Sequence, residues 1–301
     1  MPRLVDGDCD TATPTMTQLF PLAAITDEFS QDIEAAARSM AEIGMTGAEL
    51  RMVFGKNVID LSDAEVDRAC EIVGRHGLEI ISIASPLLKC VLPDSPEVDA
   101  RFQQDMFAAT YTFADQQRLA DRALEIAERT GARIIRVFSY WRAVRPEACF
   151  ERIARALEQL AEQAARHGRT IGLENEHACN IATGEETARV LEAVTHLNLK
   201  VVWDPANAYV SGETPYPDGY RRVPVERIAH VHAKDCHVEA HRPVWCALGE
   251  GGIDWRGQIR ALAEDGYKGW ISLETHWAGP RGDKHQASVI CGGNLRVLVA
   301  A

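Results

Sequence analysis

The sequence predicts an α/β chain folded as a single (β/α)8 barrel, and three observations carry that reading. Eight short apolar runs alternate with helical patterns from about residue 21 onward. Four of these runs, IGLE, VVWD, AHVH and ISLE, end on Glu174, Asp204, His232 and Glu274. Those residues are about 30, 28 and 42 positions apart, the length of one βα unit or slightly more. If the runs are neighbouring strands of one parallel barrel, three oxygens and one nitrogen meet at its rim and make a divalent metal site.

The elements follow in order. PLAAITDEF (21–29) precedes a helical pattern over Asp32–Ile43, GAELRMV (47–53) precedes Asp63–Arg75, and LEIISIAS (78–85) precedes Gln117–Thr130. ARIIRVFSY (132–140) leads to Pro146–His167, TIGLENE (170–176) to Gly184–Leu197, and LKVVWDPA (199–206) to a weak pattern around Asp218–Val225. RIAHVHAKD (227–235) and GWISLETHW (269–277) lead to Trp255–Glu264 and His285–Val299. Each run is short and apolar at its start, as a strand buried on both faces requires. Gly44, Gly77, Gly131 and Gly168 stand where a helix ends on a left-handed residue. Residues 86–116 are too long for a simple βα loop and are expected to form an excursion over the barrel mouth after strand three. Residues 209–224, with Pro215, Pro217 and Pro224, leave little room for a sixth helix. A doubly wound open sheet is the alternative, but TDEFSQD after the first strand lacks the glycines of a phosphate fingerprint.

Composition narrows the function classes. A chain of 301 residues with 46% hydrophobic and 25% charged residues has the balance of a soluble globular protein, without a long uncharged span. Its formal charge of -12 repels phosphate backbones, and no basic cluster offsets it, so neither nucleic acid nor membrane is expected as a partner. The eight cysteines form no CxxC pair and no compact framework, which fits reduced thiols in a cytoplasm. Residues 1–20, with Asp6, Asp8 and Asp10 among Thr and Pro, read as a flexible N-terminal tail, and the barrel domain as 21–301. A homo-oligomer is compatible with these features.

Strand parity selects the residues that face the pocket. Gly172, Glu174 and Glu176 share one face, as do His230, His232 and Lys234, and Ser272, Glu274 and His276. His232 is level with Glu174 and Glu274, whereas His230 lies deeper and reads as a satisfied core histidine. Lys234 is either a substrate-facing ammonium or the ion-pair partner of Asp235 or Asp204. His276 and Glu176 are supporting groups or solvated mouth residues. Glu49, Arg51 and Ser85 close earlier strands and are further candidates for substrate contact. Arg51 and Arg142 either grip a carboxylate or phosphate or form surface ion pairs. Trp141, Trp203 and Trp277 lie near strand ends, with the parity of Trp203 favouring packing between barrel and helices.

LENEH around Glu174, WDPANA around Asp204, HVHAKD around His232, LGEGGIDW (248–255) and SLETHW around Glu274 together resemble the xylose isomerase-like TIM-barrel superfamily. More narrowly, they resemble its sugar phosphate isomerase/epimerase branch, which includes ketose 3-epimerases and inosose dehydratases. The resemblance covers about residues 21–301. It implies a Mn²⁺ or similar ion held by Glu174, Asp204, His232 and Glu274, with the two glutamates doubling as acid and base in epimerases. The chain departs from the 3-epimerases at two positions, Asn207 for a histidine three residues after the aspartate and Val238 for an arginine six after the histidine. Those departures weigh against simple ketose 3-epimerisation and leave the metal set intact. Asn207 stays a candidate for substrate contact.

The ligand types themselves suit Mn²⁺ first, with Mg²⁺, Co²⁺ or Zn²⁺ as alternatives, because a zinc site is more often rich in His or Cys. A dication chelating a carbonyl and its neighbouring hydroxyl stabilises an enediolate. Glu174 and Glu274 come from strands far enough apart to reach opposite faces of a substrate. The expected function is therefore a metal-dependent isomerase or epimerase of a sugar or related polyhydroxy carbonyl compound. Loss of a β-hydroxyl from the same intermediate would make it a sugar or inosose dehydratase. An endonuclease IV-like phosphodiesterase is a third alternative, opposed by the acidic balance and by Asn207.

Overall fold

The computed structural model describes residues 18–102, 111–240 and 242–300. Eight parallel strands close into one barrel: β1 (Leu22–Ile25), β2 (Gly47–Leu50), β3 (Glu79–Leu87), β4 (Ile134–Val137), β5 (Thr170–Glu174), β6 (Leu199–Trp203), β7 (Ile228–Ala233) and β8 (Trp270–Leu273). Neighbours in the chain are neighbours in the sheet, and β8 pairs back onto β1 through Leu22 with Ile271 and Ala24 with Leu273. Closure leaves no edge strand, and the ladder is broken mainly between β3 and β4, where the register shifts between Ile83 and Leu87.

The helices are α1 (Ile33–Ile43), α2 (Asp63–Arg75), α3 (Gln116–Thr130), α4 (Phe150–Arg166), α5 (Gly184–Ala193), α6 (Pro205–Val210), α7 (Trp255–Glu264) and α8 (Lys284–Leu298). Their apolar stripes cover the strands; α4, for example, buries Ile153, Leu157, Ala161 and Ala164 at spacings of one turn. α1 and α3 end on Gly44 and Gly131, whose φ values of 94° and 79° only glycine adopts without strain. None of the described helices is long and apolar enough to cross a membrane.

Several local expectations are corrected. The end of the first apolar run turns into a single helical turn, Thr26–Phe29, directly after β1. The weak sixth helix around Asp218–Val225 is instead a chain of turns over 215–219, 220–222 and 225–227, because the prolines remove the amide donors a continuous helix needs. The only regular helix between β6 and β7 is α6, which starts at the barrel rim. α5 stops at Ala193 and not Leu197, since Val194 is already extended.

The excursion after β3 is held by the loop that follows β4. Tyr140 N–H donates to Leu88 O at 2.7 Å, Trp141 N–H to Cys90 O at 2.9 Å and Asp99 N–H to Arg142 O at 2.8 Å. Its stretch over 103–110 lies outside the described residues, as does the expected tail over 1–17. The last residues assigned to that tail are docked: Leu19 N–H donates to Val299 O at 2.9 Å, and the buried Phe20 ring lies 5.7 Å from that of Tyr267. Burying Phe20 fixes the chain there, just ahead of β1.

Candidate active site at the barrel mouth

Four strand ends converge on one buried cluster. Glu174 ends β5, Asp204 follows β6, His232 lies near the end of β7 and Glu274 follows β8. Each offers one ligand atom, and these atoms lie within 4.8 Å of one another. The backbone is fixed by short-range devices. Asp204 caps α6 by accepting the Asn207 N–H at 2.9 Å. Asn175 ties β5 to β6 by accepting the Asp204 N–H at 2.8 Å and donating to Asp204 O at 2.8 Å. Glu274 N–H donates to Ala233 O at 3.1 Å, holding the rim of β8 against β7. The glycine-rich segment after β7 wraps onto Asp235, whose carboxylate accepts the Gly249 and Gly251 N–H groups at 2.9 and 3.1 Å. A Cβ on Gly251 would stand 2.0 Å from Asp235 Oδ1, so the close approach requires glycine.

The cluster carries cations as well as carboxylates. Lys234 Nζ contacts Asp204 Oδ2 at 2.7 Å and Glu274 Oε2 at 2.8 Å, so of the two aspartates Asp204 is the one it pairs with. Arg51 reaches Glu274 at 3.1 Å while anchored to Asp27 at 2.9 Å and Glu28 at 2.6 Å. Arg136, inside β4, approaches Glu174 at 3.3 Å. Burial raises the Asp204 carboxyl, Lys234 opposes this, and the nearby Glu174 and Glu274 carboxylates raise it further, to about 6. Burial also acts to raise Glu274, but the Lys234 ammonium and His232 hold it well below the usual carboxylate range. His276 is pushed well below the usual imidazole range by burial and by Lys234, and its ring stacks on Trp245 at 4.6 Å.

A second group lies beneath. Glu49 accepts from His230 Nε2 at 2.8 Å, from His232 Nε2 at 3.1 Å and from Ser272 Oγ at 2.5 Å. Glu49 was expected to meet substrate; it is fully buried below the mouth, because its inward face on β2 meets the deep face of β7. Its carboxylate engages His232 Nε2 and leaves Nδ1 directed at Glu174 and Glu274, 3.4 and 3.3 Å away.

The upper donor set fits a divalent cation. Glu174 Oε2 and Asp204 Oδ2 are buried and meet cationic side chains, Arg136 at 3.3 Å and Lys234 at 2.7 Å, so both oxygens already sit where positive charge collects. Three carboxylates and an imidazole nitrogen are donors for a hard or borderline dication. The Glu49, His230 and His232 group is also close enough to hold an ion. However, its carboxylate already accepts three hydrogen bonds and none of its members lines the cavity.

That cavity, about 370 Å³, opens above the cluster. Arg51, Glu274 and His276 line it, as do Lys89, Phe138, Trp141 and Trp245. Ser85 does not: its hydroxyl donates to Arg136 O at 2.5 Å, which turns it into the barrel wall. Asn207 sits behind the rim, donating to Glu174 Oε1 at 3.3 Å and paired through Oδ1 with His177 Nδ1 at 2.8 Å. Arg142 is an ion-pair residue, on Glu186 at 2.9 Å, and Trp203 packs outside the barrel with its Nε1 donating to Gln258. Sequence reasoning passed over Arg136, Lys89 and His177. Arg136 carried a usable signal, since a lone arginine inside an apolar strand demands a buried carboxylate.

Comparison with known proteins agrees with this architecture. An inosose dehydratase of Erwinia tasmaniensis is 30% identical over 132 residues, 38% of this chain and 44% of that protein. The chain thus spans less than half the length of the curated relatives it matches. The structure of an IOLI protein with a bound zinc atom superimposes with a TM-score of 0.70 at 16% identity, covering 93% of this chain and 97% of that one. A D-allulose 3-epimerase from Methylomonas sp. gives a TM-score of 0.68 at 17% identity, covering 94% and 98%. At these identities the structures speak for the fold. The model of the xylose isomerase-like TIM barrel matches residues 37–291, and the chain belongs to that family.

Proposed function

We propose that this protein is a divalent-metal-dependent isomerase or epimerase that moves a proton next to the carbonyl of a sugar or related polyhydroxy compound. The observation that carries the reading is the convergence of Glu174, Asp204, His232 and Glu274 within 4.8 Å beneath a cavity of about 370 Å³. These four residues would hold the ion, Mn²⁺ first, with Mg²⁺, Co²⁺ or Zn²⁺ as alternatives. The ion supplies Lewis-acid polarisation of the substrate oxygens, which acidifies the neighbouring C–H bond.

The chain's own groups divide the remaining work. Glu174 is the better base, because its contacts, Arg136 at 3.3 Å and Asn207 at 3.3 Å, are longer than those of Glu274 to Lys234 and Arg51. On the other side the returning proton comes from the Lys234 ammonium, 2.8 Å from Glu274, relayed to the carbon through the Glu274 carboxylate, while Glu174 keeps the proton it removed until solvent takes it. Lys234 neutralises Asp204 and Glu274 and orients them. Trp141, Phe138 and Trp245 wall the cavity against the apolar face of a sugar.

Dehydration is the second reading, and Lys234 favours it. An ammonium at 2.8 Å from Glu274 can protonate a departing hydroxyl, and inosose dehydratases are among the relatives in sequence. Incubating the metal-loaded protein in D₂O with a panel of sugars and keto-polyols decides between them. Deuterium at an isomerised or epimerised carbon supports the proposal; a product lighter by one water supports the lyase. Absence of both across the panel would overturn the enolising chemistry.

A further inference from the structure

The segment after β5 carries an imidazole that stands outside the ligand cluster. His177 lines the cavity together with its neighbour Glu176. Its Nδ1 lies 2.9 Å from Glu176 Oε1 and 2.8 Å from Asn207 Oδ1. Both partners are accepting oxygens, so Nδ1 carries the hydrogen and the neutral ring keeps its lone pair on Nε2. Nε2 has no hydrogen-bond partner among the described residues, which leaves it for whatever occupies the cavity. Asn207 also donates to Glu174 Oε1 at 3.3 Å, so a single amide separates this imidazole from the base. Glu176 is held in turn, since its Oε1 accepts the Ala178 N–H at 3.2 Å. Burial acts to lower the His177 imidazole, but the Glu176 carboxylate more than offsets it and holds the ring above the usual imidazole value. A carboxylate behind Nδ1 and a bare Nε2 in front make an acid–base imidazole.

We propose that His177 is a further catalytic residue, whose Nε2 moves the proton of the substrate hydroxyl next to the carbonyl. This role rests on the functional reading above and adds the oxygen-bound proton to the carbon-bound one. As Glu174 takes the proton from carbon, the electron pair of that C–H bond becomes the new C=C bond, and the carbonyl pair moves onto its oxygen. Nε2 accepts the hydroxyl proton and delivers it to that oxygen, so the ring ends as neutral as it began. Reprotonation of carbon completes the cycle. In an isomerase the former hydroxyl oxygen becomes the carbonyl; in an epimerase the shuttled proton goes back. Glu176 stabilises the imidazolium between the two transfers.

The full metal-loaded chain and its variants test this with the sugar of the D₂O panel that turns over. His177→Ala should lose about 10² to 10⁴-fold in turnover with metal content unchanged, the range of a lost acid or base. His177→Gln, whose amide can still donate to Glu176, should fall by a similar factor. Added imidazole should raise the turnover of His177→Ala at least about tenfold, a rescue that a merely structural role would not show. Glu176→Gln can still accept from Nδ1 but carries no charge, and should lose about tenfold or more. Nitrogen NMR of the histidine rings reads the tautomer without turnover. The signals that vanish in His177→Gln should show hydrogen on Nδ1 and none on Nε2 of the neutral ring. Turnover of folded, metal-loaded His177→Ala and His177→Gln within about threefold of the parent, no rescue by imidazole, or a neutral ring with its hydrogen on Nε2 would each overturn the proposal. A parent inert on the whole panel defeats the functional reading and this step with it, whereas an active parent with equally active His177 variants defeats this step alone.

Discussion

Two buried clusters share His232 and are built from carboxylates and imidazoles, yet they differ in how their carboxylates are balanced. In the lower one, Glu49 accepts hydrogen bonds from His230, His232 and Ser272, and burial of its carboxylate is more than offset by the two imidazoles, which hold it well below the usual range. In the upper one, Glu174, Asp204 and Glu274 crowd around one ring nitrogen, and the Glu174 Oε2 and Asp204 Oδ2 oxygens are balanced by Arg136 at 3.3 Å and Lys234 at 2.7 Å. The lower cluster leaves only His230 Nδ1 without a hydrogen bond among its described atoms and does not line the cavity; the upper one borders it through Glu274. Titratable residues alone therefore do not mark a site, whereas several carboxylates crowded beside an open space do.

The comparison breaks first at the ligands. Asp204→Asn and His232→Ala are each expected to weaken metal binding by more than about 100-fold, beyond the effect of an outer partner. Elemental analysis of purified variants checks this, and metal content equal to the parent in Asp204→Asn would remove Asp204 from the site. Next in size, Glu174→Gln and Glu274→Gln should each lower turnover by about 10² to 10⁴-fold, the range of a lost acid or base. Metal content must be measured with the rate, because glutamine still coordinates weakly.

Glu49→Gln should cost about 10- to 100-fold in metal affinity with all four ligands intact, because the amide no longer fixes the ring of His232. Competition with a chelator reads the change, and an unaltered affinity would reduce the lower cluster to packing. The smallest effect on metal is expected of His230→Ala. It leaves Glu49 short of one donor and should cost about 1 to 3 kcal/mol of stability in denaturant unfolding while retaining the ion. If His230→Ala released the metal and His232→Ala did not, the depth assignment on β7 would be inverted.

Legibility followed the range of the interactions involved. Glu174, Asp204, His232 and Glu274 were readable because side chains alternate along a strand and a buried strand turns polar only where it reaches the mouth. The stops of α1 and α3 at Gly44 and Gly131 were readable for the same local reason. The corrections came where distant segments meet. Glu49 was placed at the mouth and lies beneath it, bonded to residues about 180 and 220 positions away. Ser85 turned into the wall because the carbonyl of Arg136 is its nearest acceptor.

By itself, the sequence determined the order of strands and helices, their closure as a single barrel and the four polar strand ends, since periodicity and turn chemistry are properties of adjacent residues. Only the tertiary structure decided which group serves which. It placed Lys234 between Asp204 and Glu274, set Arg51 against Asp27, Glu28 and Glu274, and directed Arg136 at Glu174. A buried charge takes whichever opposite charge the closed barrel brings within reach, and that neighbour is fixed by the curvature and register of all eight strands together.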